Sequence, residues 1–146
     1  GTKDLSERLN LPIEGPQTED SFWIDRLADQ SRMFQFPEAK PFEPTTWLNH
    51  SDKVTVGNLE FEVRHCPGHT PGHVIFINHQ YKWCWVGDVL FNGSIGRTDF
   101  PRGDHATLIN AIKESLLTLD DDYQFLSGHG PTSTIGYERA HNPFIQ

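Results

Sequence analysis

The chain has 146 residues, a length that fits one domain, with 36% apolar residues and a mean hydropathy of −0.54. Twelve basic against twenty acidic residues leave a net charge of −8, which argues against nucleic acid or an anionic membrane as the main partner. No stretch reaches the roughly 18–20 apolar residues of a membrane-spanning helix, and the opening GTKDLSERLN lacks a signal-peptide pattern. Two cysteines cannot build a disulfide scaffold, so a cytoplasmic, reducing setting is the expectation.

In chain order, Leu5 and Leu9 at i, i+4 predict a short helix that stops before Pro12. A short strand is expected around Ile13. A longer helix is expected over 19–34, with Asp20 as its cap and Trp23, Leu27 and Phe34 near one face. Three prolines make 36–44 an irregular connection. From Lys53 the period becomes two. Val54 and Val56, a Gly57-Asn58 turn, then Leu59, Phe61 and Val63 predict a hairpin. Strands follow over 73–78 and 81–86. In the second, Tyr81, Trp83 and Trp85 share one face, opposite Cys84 and Val86. The aromatic face is expected to pack within the sheet. A helix over 104–117 carries the stripe Leu108, Ile109, Ile112 and Leu116, with Asp104 as cap. A last strand spans 123–126, and the tail from Thr132 is expected to form a short helix before His141-Asn142-Pro143.

Eight histidines in 146 residues direct attention to metal chemistry. Three polar clusters stand where predicted strands end: His65-Cys66-Pro67-Gly68-His69-Thr70-Pro71-Gly72-His73, Gly87-Asp88 and Gly128-His129-Gly130. The first cannot be a helix, because its prolines and glycines forbid one. Imidazoles supply neutral nitrogen donors and a carboxylate can bridge two cations, which is what a hydrolytic metal site needs. Flanking glycines allow close backbone approach. His65 reads as a strand-end residue. His73 reads either as a buried structural histidine or as a residue that orients the site through its other ring nitrogen. Cys66 and Cys84 read as small buried thiols. Arg97 and Arg102 lie on a charged loop. That loop either contacts an acidic thiol substrate at the mouth of the site or holds its own shape through an Arg97–Asp99 pair.

Taken together, HCPGHTPGH, GDVLF, GRTDFPRGD, SGHGPTST and HNPF resemble the metallo-β-lactamase superfamily, and within it the small glyoxalase II-like (hydroxyacylglutathione hydrolase-like) members. The resemblance implies an α/β fold, part of a four-layered αββα sandwich, with residues 1–146 as one incomplete domain. It implies that His69 completes a first metal site, Asp88 bridges two metals and His129 completes a second. The family's His-x-His-x-Asp-His motif, which supplies four further metal ligands, is absent from this sequence. The chain is therefore expected to be the carboxy-terminal two-thirds of a longer protein. It is expected to bind metal weakly alone and to expose sheet surface that a missing amino-terminal segment or a second copy would cover. The implied activity of the full protein is hydrolysis of a thioester such as S-lactoylglutathione by a metal-held hydroxide, with two divalent metals, zinc or iron, and Asp88 as the catalytic residue. Lactone hydrolysis, persulfide oxidation and a non-catalytic remnant are the alternatives on the same scaffold.

Overall fold

The computed structural model describes residues 1–146, which form two compact units, 1–48 and 49–146. No helix is long and apolar enough to cross a membrane.

The first unit opens with α1 (Thr2–Leu9), closed by Asn10 in the left-handed region at φ 51°. Near Ile13 the expected strand is a single parallel bridge, Glu14 to Thr46. The helix expected over 19–34 is broken. A 3-10 turn (Thr18–Asp20) leads into α2 (Ser21–Asp25) and then α3 (Leu27–Met33). Arg26 leaves helical geometry at φ −98°, ψ 11°. The Trp23 carbonyl accepts from the Arg26 N–H at 3.2 Å and from the side-chain amide of Gln30 at 2.8 Å, so the end of α2 is closed by a tight backbone turn and a side chain. Asp20 makes no capping bond through its side chain; Gln17 accepts from the Glu19 N–H instead. Phe34, expected on the apolar face, is exposed. The 36–44 segment is irregular, as its prolines require, and Ser31 ties it to α3 by accepting from the Ala39 N–H at 3.0 Å.

The second unit is built on a six-stranded sheet in the order β1-β2-β3-β4-β7-β8. The strands are β1 (Lys53–Val56), β2 (Leu59–His65), β3 (Val74–Asn78), β4 (Trp83–Gly87), β7 (Gln124–Ser127) and β8 (Ser133–Thr134). A separate small hairpin pairs β5 (Leu90–Phe91) with β6 (Ser94–Ile95). The β1–β2 hairpin turns where expected, with Gly57 at φ 61°, a conformation that a residue without Cβ takes freely. β4 starts two residues later than its alternation predicts, because Lys82 at φ 53° still belongs to the turn.

Alternation decides the two faces of this sheet. Ile75, Ile77, Cys84, Val86 and Phe125 are fully buried, in one core with Leu108, Ala111 and Ile112 of α4 (His105–Ser115), Leu116 just after it, and Ile135 of α5 (Ile135–His141). Asp104 caps α4 as expected, accepting from the Thr107 N–H at 2.7 Å. The opposite face carries Val56, Phe61, Val74, Phe76, Trp85 and Leu126, which line an open apolar groove. Tyr81, Trp83 and Trp85 pack ring on ring along it, with centroids 5.9 and 6.0 Å apart, yet Tyr81 and Trp83 remain exposed.

Arg64 fixes β2 to the end of α4. Its guanidinium donates to the Ser115 carbonyl at 2.7 Å and grips Glu62 at 2.8 Å, and His79 meets the same carboxylate at 2.6 Å. The Arg64 hydrogen bond chiefly, with His79 assisting against partial burial, holds the Glu62 carboxyl at about 2 instead of 4.5. A carboxyl depressed in the folded state stabilises above its unfolded value and loses that contribution as protons are added. Urea midpoints should therefore fall between pH 5 and pH 2, and Glu62→Gln should flatten that decline. An unchanged pH dependence in Glu62→Gln would assign the decline to other groups.

Candidate functional site

β4 and β7 run parallel, Trp83 beside Gln124 and Gly87 beside Ser127, so their carboxy-terminal ends lie side by side. β3 is antiparallel to β4, so the loop that enters β3 comes to the same edge. These two pairings bring the three polar clusters together although 60 residues separate His69 from His129.

The loop of the first cluster is closed by the Cys66 N–H donating to the His73 carbonyl at 2.8 Å. Gly68 sits at φ 130°, flat against the first turn of α4, where a Cβ would collide with the Leu108 backbone. His69 follows with its side chain only 11% exposed. Its Nδ1 is 2.8 Å from the Arg97 carbonyl, an acceptor only, so Nδ1 carries the proton. In the neutral ring the free lone pair is then on Nε2, which lies 3.8 Å from Asp88 Oδ2. The Phe100 ring meets His69 edge-on at 5.3 Å.

Asp88 follows a register shift at the end of β4, with Gly87 at φ 51°. Backbone walls it in. A Cβ at Gly128 would collide with Asp88 Oδ1, and one at Gly96 would collide with the Asp88 carbonyl oxygen. The same carboxylate oxygen that faces His69 lies 3.6 Å from His129 Nε2. His129 is 74% exposed, and the Phe91 ring stacks on it at 4.6 Å.

His73 is the histidine behind the site. Its ring lies against Gly87, 2.8 Å from where a Cβ would stand, and edge-on to His69 at 6.0 Å. Its Nδ1 is sealed from water and has no hydrogen-bond partner. Burial, with the neighbouring His69 adding to it, pushes its basicity down to about 4, so the ring is neutral. His65 ends β2 and reaches the Pro71 carbonyl at 2.7 Å. Cys66 and Cys84 are free, buried thiols, pushed up to about 12 by burial. Arg97 grips Asp99 through two bonds of 2.6 Å and lies over the Phe100 ring at 4.3 Å. Arg102 is exposed at φ 64°. The Arg97 carbonyl and the Phe91 ring were not legible as contacts of the histidines, since a main-chain acceptor leaves no mark in a sequence.

One carboxylate oxygen thus stands between two imidazole nitrogens. Each separation is shorter than the roughly 4 Å that a zinc–nitrogen and a zinc–oxygen bond span end to end. The donor chemistry suits a pair of divalent cations sharing Asp88. The number of donors does not: each cation would have one imidazole and a share of one carboxylate, whereas a catalytic zinc keeps three protein ligands.

The family model described as the metallo-beta-lactamase superfamily matches residues 1–129. Hydroxyacylglutathione hydrolase GloC of Haemophilus influenzae is 44% identical over 142 residues, which are 97% of this chain and 67% of that protein. The BLEG-1 B3 metallo-beta-lactamase superposes with a TM-score of 0.87 at 34% identity, over 99% of this chain and 69% of that one. The di-iron-bound form of TTHA1623 superposes with a TM-score of 0.86, also at 34% identity, over 97% and 69%. The chain therefore spans about two-thirds of the length of these relatives.

Substituting Gly128→Ala should drive the Asp88 carboxylate out of its place. A crystal structure of the variant should show Oδ2 beyond 4 Å from at least one of the two Nε2 atoms. An unmoved carboxylate would mean that the strand end yields instead.

Proposed function

Because this chain belongs to the metallo-beta-lactamase superfamily, a fold family of hydrolases, we propose that it is part of a metal-dependent thioester hydrolase of the glyoxalase II-like type. A hydroxyacylglutathione thioester such as S-lactoylglutathione is the substrate class, by likeness to GloC. The observation that carries the proposal is the single oxygen of Asp88 set between the Nε2 atoms of His69 and His129. Residues 1–146 form part of one such domain. The four further ligands that the family resemblance implies would lie in the third of the relatives' length that this chain does not span, and that segment or a second copy would cover the apolar face of the sheet.

His69 and His129 would each hold one of two divalent cations, zinc or iron, and Asp88 would be shared by both. When bound, such ions make hydroxide available near neutral pH and favour negative charge on an acyl oxygen. Asp88 orients the attacking oxygen toward the thioester carbonyl. A carbon–oxygen bond forms, the carbon–sulfur bond breaks, and the thiol leaves with a proton from the attacking water. The Arg97 carbonyl keeps His69 in the tautomer that presents Nε2. Arg97 and Arg102 lie on the loop beyond the hairpin and are this chain's candidates for contact with an acidic thiol.

The test compares this chain with a protein that also carries the His-x-His-x-Asp-His segment. Metal content is measured by mass spectrometry and activity by thiol release from S-lactoylglutathione. The longer protein should hold two metals and turn over. This chain alone should show weak binding by calorimetry and no turnover, and tight binding of two metals by it would refute the account of missing ligands. In the longer protein Asp88→Ala should lower turnover at least about 100-fold and disturb both metals. Near-normal turnover in that variant would remove Asp88 from the reaction.

A further inference from the structure

The sequence singles out HNPF near its end, and the reaction uses none of it. The structure gives its asparagine a clear set of partners. Asn142 is fully buried, and so is Glu138, one helical turn earlier on α5. Glu138 Oε1 accepts from the Ser133 hydroxyl at 2.5 Å. Its Oε2 accepts from the Asn142 side-chain amide at 2.8 Å and from the Gly93 backbone N–H at 2.9 Å. Asn142 donates a second time, to the Ser94 carbonyl at 3.0 Å. Both side chains therefore grip the turn of the β5–β6 hairpin, one by its N–H and one by its C=O. On the other strand of the hairpin, the Ser127 hydroxyl donates to the Leu90 carbonyl at 2.7 Å.

This hairpin and the two residues after it touch all three residues of the site. Phe91 stacks on His129, Gly96 lies against Asp88, and the Arg97 carbonyl receives the His69 Nδ1 proton. A buried carboxylate with every oxygen engaged is costly to leave unmatched, so the hairpin turn is held at one fixed height above α5. We propose that Glu138 and Asn142 are positioning residues, acting through the β5–β6 hairpin to set the two histidines and Asp88. The inference rests on reading His69, Asp88 and His129 as the site, but not on the substrate.

Side-chain nitrogen NMR on the full chain tests it without metal or substrate. The hydrogen-bonded Nδ1–H of His69 should exchange slowly, and the His129 ring protons should carry a ring-current shift from Phe91. Glu138→Ala should speed the exchange at least ten-fold and abolish the shift. Glu138→Gln should retain both, because its amide oxygen can accept from Gly93 and Asn142 while its NH2 group donates to Ser133. Ile77→Ala, at the far end of β3, supplies the comparison for lost stability alone; it should lower the melting temperature and leave both signals in place. If Glu138→Ala does not fold, Asn142→Ala carries the same expectation. Unchanged His69 and His129 signals in the alanine variant, or equal loss of them in Ile77→Ala, would overturn the proposal. Failure of thioester hydrolysis would leave these signals, and this conclusion, untouched.

Discussion

Parallel pairing of β4 with β7 is the constraint on which the rest of the second unit depends. Parallel neighbours cannot be joined by a tight turn, so the chain must travel back over the sheet between them. That return is where β5, β6, the charged loop and α4 are placed. α4 covers one face and supplies its core. The hairpin and loop stay at the carboxy-terminal edge, where two strands end together and their following residues are free of the ladder. Polar groups gather there because the sheet has no further use for the backbone at that point.

The same topology shows why some features were legible and others were not. Val54 to Val63 carry a period of two broken by Gly-Asn, and the hairpin forms with that register. Asp104 followed by an apolar stripe marks α4 from local chemistry alone, and the cap is there. The helix expected over 19–34 breaks at Arg26, whose N–H turns back to the Trp23 carbonyl at 3.2 Å. Gln30 reaches back to the Trp23 carbonyl, and no periodicity reports where a side-chain amide will bind. His69, Asp88 and His129 could be singled out because their clusters stand together at predicted strand ends and, as a set, resemble a known family. The groups that hold them could not, since a carbonyl at Arg97 or a ring at Phe91 gains its role only from the fold. Glu138 looks like an ordinary helical surface residue in sequence, yet it is fully buried.

Backbone, rather than side chains, forms much of the wall around Asp88. Gly87, Gly96 and Gly128 each sit where a methyl group would strike the site or the His73 ring behind it. A carboxylate enclosed this way has little rotational freedom, so it meets whatever binds it already oriented. The same enclosure leaves the more exposed His129 as the adjustable partner, steadied by a stacked ring rather than by a hydrogen bond to protein.

The two free cysteines acquire a use from where they lie. Cys66 opens the His69 loop, and Cys84 is the second residue of β4. With both thiols buried and pushed up to about 12, neither presents a thiolate while its surroundings stay closed. Their alkylation rates are therefore two native clocks on one molecule. One times the fraying of the edge that carries the histidines, and the other times the opening of the sheet behind it.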